Sequence, residues 1–270
     1  MALKLPLVLK TMRKLISSAG FIILLLFPAA GQIISYQPGE RVNYVVHYGA
    51  INGGEAFLEI VRDTSFGREL WHATMDAKTT GMVDALFRVR DIYEAYIDPD
   101  TELPVRSIRN IREGRYKRYN VVLFDHASRQ DSAILTSDLT GIHITQHGIH
   151  DILSCFYWFR NHVLPDIKNV KRGDVIEIMT WFTDELYPVR MKYVGIEDVK
   201  TKVGRIKCHK FNPVTETGRL FKTEEDVSFW FSADKNFLPV KIRFDIFVGA
   251  FMVEVVSYEG LLYPLEIKKK

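Results

Sequence analysis

The sequence lacks the short motifs that mark common classes of enzyme and metal protein. Its 270 residues contain no zinc-binding helix motif, nucleophile elbow, phosphate-binding loop or dinucleotide fingerprint. Its 2 cysteines, Cys155 and Cys208, either pair in an oxidising compartment or stay as buried thiols, and the sequence leaves both alternatives open. We therefore predict a protein that is not an enzyme and that carries no cofactor and no metal.

No apolar run is long enough to cross a bilayer comfortably, which takes ~20 residues. The longest run is FIILLLF, between Gly20 and Pro28. Basic residues precede it and small residues follow it, which is the pattern of a secretory signal peptide. We predict that residues 1–31 are cleaved, although Met12 could serve as the start equally well, and that no stable membrane span remains.

The chain has no strong excess of charge once this segment is removed. The formal net charge of +3 falls to about −1, because residues 1–31 contain four basic and no acidic side chains. A nucleic-acid partner would need a concentrated basic face, so we expect none. No linker rich in Pro, Gly or Ser divides residues 32–270, and we predict one exported β-rich domain there.

Alternating apolar and polar residues dominate that domain. The clearest case is Trp230 to Gly260, where we predict two hairpin turns joining three antiparallel strands. The alternation recurs along most of the chain, with short connections. It predicts a mainly β fold: a curled antiparallel sheet or incomplete β-barrel of roughly ten or more strands packed on one main α-helix.

One hairpin pattern occurs twice. Ala95 to Arg109 aligns without gaps with Trp230 to Phe244, and both contain an aromatic strand, an acidic turn and Leu-Pro-Val before a basic residue. Convergence on good turn chemistry and duplication of half a fold both explain this repeat.

The main helix is predicted from apolar residues at three- and four-residue spacing, with Asp151 as its N-cap. These residues are Ile149, Ile152, Leu153, Phe156, Phe159 and Val163. A shorter segment, Thr80 to Phe87, is compatible with a single helical turn.

Three groups of residues are candidates for reactive sites. His143, His147 and His150 could ligate a metal, but they suit a loop leading into the helix better. Cys208 and His209 are adjacent on a predicted strand and would therefore point to opposite faces. Carboxylates such as those of Asp98, Asp100 and Glu225 leave a glycan-active enzyme as a third, disfavoured hypothesis.

Several segments resemble the exported bacterial proteins grouped as domain of unknown function 3108. They are Gly39 to Ile60, Thr80 to Tyr119, Phe124 to His126, Asp151 to Arg160 and the final FLPVKI. The resemblance implies export, with the periplasm of a Gram-negative bacterium as the expected location, and implies no activity. The hairpins are also similar to those of the periplasmic lipoprotein-carrier superfamily, which implies an incomplete β-barrel whose concave face holds acyl chains.

The abundant aromatic residues have two interpretations. They either fill the space between sheet and helix, or they line a groove for a hydrophobic ligand. We expect a periplasmic protein that binds or escorts a lipid or other acyl-chain ligand. An envelope-assembly or scaffold protein that contacts a partner protein through exposed edge strands is the alternative. The candidate ligand-binding residues are Tyr44, Trp71, Phe156, Trp158, Phe159, Trp181 and Trp230.

Overall fold

The computed structural model describes residues 34–214, 226–245 and 249–268, which belong to one compact unit. The predicted signal peptide and Glu225 lie outside the described residues.

Fifteen strands of the described segments form one antiparallel sheet that does not close into a barrel, as the sequence predicts. The strands are β1 (Arg41–Tyr48), β2 (Ile51–Asp63), β3 (Leu70–Thr79), β4 (Arg90–Ile97), β5 (Pro104–Glu113), β6 (Tyr116–Asp125), β7 (Ser132–Ser137), β8 (Gly141–Gln146), β9 (Val175–Phe182), β10 (Glu185–Thr201), β11 (Gly204–Pro213), β12 (Val227–Ser232), β13 (Pro239–Asp245), β14 (Ala250–Glu259) and β15 (Ile267–Lys268).

The sheet consists of two meanders joined side by side. Their strand order is β8-β7-β6-β5-β4-β3-β2-β1 followed by β14-β13-β12-β11-β10-β9, with the short β15 paired to β11. Within each meander consecutive strands are therefore neighbours in the sheet, and the pairing of β1 with β14 joins the two meanders. The strands that end this order, β8 and β9, are connected in sequence through the helical region.

The helical region has three parts. Helix α2 (Ile152–Trp158) continues as a π-helical segment (Phe159–Val163) and a 3₁₀ segment (Leu164–Asn169). The predicted cap is confirmed: Asp151 Oδ1 accepts hydrogen bonds from the backbone N–H of Leu153 at 2.8 Å and of Ser154 at 3.3 Å. The helical turn predicted near residue 80 is helix α1 (Gly81–Leu86).

Ile149 was wrongly placed in the helix. It precedes the cap and packs beside β6, β7 and Trp181 of β9. Its neighbour His150 forms an isolated bridge to Thr180, so this part of the chain is extended. A single buried extended residue has no periodicity of its own, and Ile149 therefore fits the helical spacing by coincidence.

The sheet curls so that β9 lies over the inner face of β5 to β7. The backbone N–H of Trp181 donates to the carbonyl oxygen of His150 at 2.7 Å. The guanidinium carbon of Arg109 lies 4.4 Å from the ring centre of Phe182. Around Trp181 the apolar cluster contains Val122, Phe124, Ala133, Leu135 and Ile149.

The helix sits in the hollow of the curled sheet and contacts both meanders. Leu153 and Tyr157 pack on one side against Ile60, Ala73 and Ala95 of the first meander. Cys155 and Phe159 pack on the other side against a cluster from the second meander that includes Met191, Tyr193, Phe211 and Phe231.

Two strands differ from the sequence-based expectation. β8 is not predicted as a strand, because the segment that contains His143, His147 and His150 is interpreted as a loop. The alternation from Tyr187 predicts a strand that ends at Val194, but β10 continues to Thr201 through a bulge at Gly195, whose φ is +133°. A bulge shifts the alternation by one residue and so hides the second half of a strand from a period-2 pattern. Within the described segments, no helix is long and apolar enough to cross a membrane.

Candidate functional site

The helix covers one end of the concave face and leaves the other end open. Along β3, Ala73 packs under the helix, and Ala77 lies on the same face about 13 Å further along the strand. β2 repeats this arrangement, with Ile60 under the helix and Gly54 beyond its reach. We call the helix-covered end the closed end and the other the open end.

An apolar cavity of about 470 Å³ occupies the open end. It lies between the ends of β1, β2 and β3, helix α1 and the start of β14. Its lining consists of Val46, His47, Tyr48, Ile51, Gly53, Gly54, Ala77, Lys78, Thr79, Val83, Val89 and Phe251.

Two glycines allow the strands and helix α1 to approach each other here. A Cβ atom on Gly54 would lie 2.7 Å from the carbonyl oxygen of Lys78 and 3.3 Å from Cβ of Val46. A Cβ atom on Gly53 would lie 2.9 Å from Cγ2 of Val83 in α1. Because Gly53 and Gly54 have no side chains, β2 can lie close to Lys78 and Val83, and this close approach forms the wall of the cavity.

The ionisable side chains in the lining are paired with carboxylates. Nε2 of His47 lies 3.5 Å from Glu254, which also accepts a 2.5 Å hydrogen bond from Lys241. Nζ of Lys78 lies 2.8 Å from Glu55. The cavity thus offers an apolar interior with paired charges at its border.

A second, smaller apolar cavity of about 160 Å³ lies between the helix and the second meander. Its lining comes from α2, the π segment and strands β9, β10 and β12. It contains Ile152, Cys155, Phe156, Phe159, Ile178, Val189, Met191, Phe229 and Phe231.

Of the candidate ligand-binding residues, the structure brings Phe156 and Phe159 together on this smaller cavity. Trp158, on the same helical stretch, stacks on the ring of His162 with centroids 4.9 Å apart. Trp181 belongs to the cluster where β9 lies over β6 and β7.

Of the remaining three candidates, Tyr44 and Trp230 belong to one apolar cluster and Trp71 packs against another. The Tyr44 hydroxyl donates to the carbonyl oxygen of Pro239 at 2.9 Å. Trp71 packs edge-on against Tyr36, with centroids 5.6 Å apart. Nε1 of Trp230 donates to Glu197 at 2.6 Å. The seven residues do not form one site, and the larger cavity was missed because its wall is made of small residues such as Gly54 and Ala77.

A buried charged network stabilises the closed end. The guanidinium of Arg160 binds both carboxylate oxygens of Glu40, at 2.6 and 3.0 Å, and donates to the carbonyl oxygen of Asn236 at 2.9 Å. Both charged side chains are almost fully buried. Tyr36 and Tyr157 lie near the guanidinium, with ring centres 5.2 and 5.6 Å from its carbon. No local pattern predicts this pair, because Arg160 follows the apolar helix where a solvated residue is expected.

The three histidines weighed as metal ligands point to different partners. His143 contacts the ring of Trp181, Nε2 of His147 donates to the carbonyl oxygen of His126, and Nδ1 of His150 lies 3.3 Å from the Ser154 hydroxyl. Burial lowers the pKa of His150 to about 4. No group of three potential metal ligands exists within residues 34–214, 226–245 and 249–268.

The remaining reactive candidates have ordinary structural surroundings. Cys155 and Cys208 are both free and buried in different apolar clusters, and burial raises the pKa of each thiol. Nδ1 of His209 lies 3.1 Å from the Tyr193 hydroxyl. Asp98 accepts the backbone N–H of Asp100 within its turn.

A model of the family described as "Protein of unknown function (DUF3108)" matches residues 43–256 of this chain. No match was found among curated proteins.

Three solved structures are similar to this chain. A β-barrel-like protein of domain of unknown function DUF1849 from Brucella abortus has a TM-score of 0.55 at 8% identity, over 83% of this chain and 98% of that one. A hypothetical protein from Chlamydia trachomatis has a TM-score of 0.35 at 10% identity, over 88% of this chain and 96% of that one. A DUF1089 family protein from Pseudomonas aeruginosa has a TM-score of 0.29 at 11% identity, over 82% and 92%. The first of these shares the barrel-like fold.

Proposed function

The chain belongs to the DUF3108 family, and from its structure we propose that it is a non-enzymatic exported protein that binds or escorts a hydrophobic ligand with an acyl chain. The observation that carries this proposal is the cavity at the open end. Its volume of about 470 Å³ falls within the ~300–1,000 Å³ typical of small-molecule sites.

The chemistry of the lining supports an acyl chain over a polar ligand. Val46, Ala77, Val83 and Phe251 offer apolar surface to a ligand, whose transfer from water is favourable in proportion to the area buried. Lys78 lies at the border of this surface, and its ammonium has three N–H donors, of which Glu55 takes one and the others can bind a polar head group such as a carboxylate.

The experiment is a titration with a fluorescent fatty acid, using protein purified without detergent. Wild type is expected to bind the probe, and Ala77→Trp to weaken binding by at least about tenfold because the indole fills the cavity. Val189→Trp fills the smaller cavity instead and serves as the matched control. Circular dichroism checks that both variants fold.

The same proteins are then weighed by native mass spectrometry. A copurified mass that matches a lipid in wild type and is lost in Ala77→Trp supports the proposal. Absence of both probe binding and copurified lipid in folded wild type contradicts it. Loss of binding in Val189→Trp alone would show that the ligand binds in the smaller cavity beside the helix.

A further inference from the structure

Helix α1 exposes large apolar side chains without burying any of its residues. Met82 and Leu86 are 81% and 86% exposed, and because they are four residues apart they lie on the same side of the helix. Val83 lies about 100° around the helix from Met82 and lines the cavity. One side of α1 therefore closes the cavity while the neighbouring side presents apolar groups to the surroundings.

This exposed side continues around the cavity mouth. Ile51, Phe87 and Phe251 are 58%, 54% and 44% exposed, and Ile51 and Phe251 also line the cavity. We call these three residues together with Met82 and Leu86 the apolar rim. An exposed apolar group of this kind at the mouth of a cavity is typical of an interaction surface.

Positive charge is concentrated beside the apolar rim. The turn between β5 and β6 lies against the end of α1, where the backbone N–H of Gly114 donates to the carbonyl oxygen of Arg88 at 2.8 Å. Residues 80–91 and 112–117 together contain five basic and three acidic side chains, whereas the rest of the chain from residue 32 is net negative. The basic residues are Arg88, Arg90, Arg112, Arg115 and Lys117.

The acidic side chains reduce this charge without cancelling it. Asp84 pairs with Arg90 at 2.6 Å and with Arg88 at 3.5 Å. Burial together with the neighbouring Asp91 raises the pKa of Glu113. The region keeps an excess of two basic side chains over acidic ones. A net positive region next to exposed apolar side chains matches the two attractions of an anionic bilayer surface, electrostatic and apolar.

We propose that the apolar rim and the adjacent basic turn dock on an anionic lipid bilayer, which places the cavity mouth against the acyl chains. This inference rests on the proposed function, because the proposed acyl-chain ligand is what would pass between the bilayer and the cavity. Docking itself depends on residues outside the cavity. Met82 and Leu86 would enter the boundary between head groups and acyl chains, and Arg88 and Arg115 would face the lipid phosphates.

The test is cosedimentation of the full protein with vesicles. Wild type is expected to bind vesicles of phosphatidylethanolamine and phosphatidylglycerol at least about tenfold more tightly than vesicles of phosphatidylcholine. Met82→Ser with Leu86→Ser is expected to reduce this binding by at least about tenfold. Arg88→Gln with Arg115→Gln should reduce binding to the anionic vesicles and weaken its dependence on salt.

The matched control is Ile142→Ser with Ile144→Ser on β8, which removes two apolar side chains that are 72% and 60% exposed and lie away from the rim. It should bind the anionic vesicles like wild type. Failure of wild type to bind them, or equal binding by the Met82 and Leu86 double variant, overturns the proposal.

The fatty-acid titration without vesicles separates this inference from the proposed function. The Met82 and Leu86 double variant should bind the probe like wild type, since neither side chain lines the cavity. Probe binding without vesicle binding overturns the docking surface alone. Vesicle binding without probe binding overturns the cavity function alone.

Discussion

Arg160 and Glu40 form an ion pair that water hardly reaches. Their side chains are 1% and 2% exposed, and the guanidinium makes further bonds to backbone oxygens. Two ions of this kind are costly to desolvate, so the pair is stable only while each partner and its hydrogen bonds are present.

We predict that Glu40→Gln lowers the free energy of unfolding by about 3–5 kcal/mol, because the amide leaves a buried guanidinium without its counter-charge. Chemical denaturation at neutral pH measures the change. Glu177→Gln is the control, since the Glu177–Arg190 pair is 49% and 47% exposed and should contribute at most about 1 kcal/mol. A loss in Glu40→Gln no larger than in this control would show that the buried pair is not important for stability.

His150 and Asp151 are adjacent buried groups whose titrations act in opposite directions. Burial lowers the pKa of His150 to about 4 from an ordinary 6.5, so the unfolded chain gains a proton first as pH falls, and stability is lost between about 6.5 and 4. Burial raises the pKa of Asp151 to about 6 from an ordinary 3.8, so the folded chain gains that proton first, and stability is gained between about 6 and 3.8.

We therefore predict opposite changes in the acid part of the stability profile. His150→Asn should reduce the loss of stability between pH 6.5 and 4, and Asp151→Asn, which can still cap α2, should make that loss steeper. Urea denaturation at half-unit steps of pH measures both. Two variants that shift the profile in the same direction would contradict the assignment.

At the scale of elements, the two Leu-Pro hairpins are equivalent in more than sequence. They join the fourth and fifth strands of each meander, and the residue before Leu-Pro is left-handed in both, with φ of +57° at Glu102 and +44° at Phe237. Both loops contact the π segment: Glu102 accepts from Asn161 at 2.9 Å, and Asn236 accepts from Arg160 at 2.9 Å. This equivalence favours duplication of half a fold over convergence.

The pairing of β2 with β3 depends on a glycine at the open end. We predict that Gly54→Ala lowers the free energy of unfolding by about 1–3 kcal/mol, because its Cβ would meet the rigid backbone oxygen of Lys78 at 2.7 Å. Gly53→Ala should cost less, since the atom in its way is the end of the Val83 side chain at 2.9 Å. Thermal and urea unfolding compare the two variants, and an equal or larger loss in Gly53→Ala would contradict this explanation.

The sequence predicts those elements whose signal is local. The Asp151 cap depends on neighbours within three residues, and the strand after Trp230 on the alternation from Val240 to Asp245, so both are predicted correctly. The end of β10 is not predicted because a bulge interrupts its alternation, and β8 is not predicted because it is short and its apolar residues are exposed. The Arg160–Glu40 pair and the cavity depend on contacts between distant segments, which no local pattern contains.

At the scale of the whole molecule, the concave face has two unlike ends. The closed end is filled by the helix and stabilised by the buried ion pair. The open end has the short α1 at its border, and the apolar cluster that contains Tyr44, Ala56 and Leu58 lies between its cavity and the helix. A ligand that enters at α1 would therefore meet this cluster before the helix, and the cluster would limit its length.

The pairing of β1 with β14 has a consequence for how the chain folds. All other pairings among the strands from β1 through β14 join consecutive strands, and each can form as soon as both strands are available. The pairing of β1 with β14 can form only after nearly the whole chain has been made. During synthesis the first meander would therefore carry an unpaired β1 edge, which is a template for pairing with other chains. β14 covers that edge when it arrives, and a chain truncated before β14 would leave it exposed to aggregation.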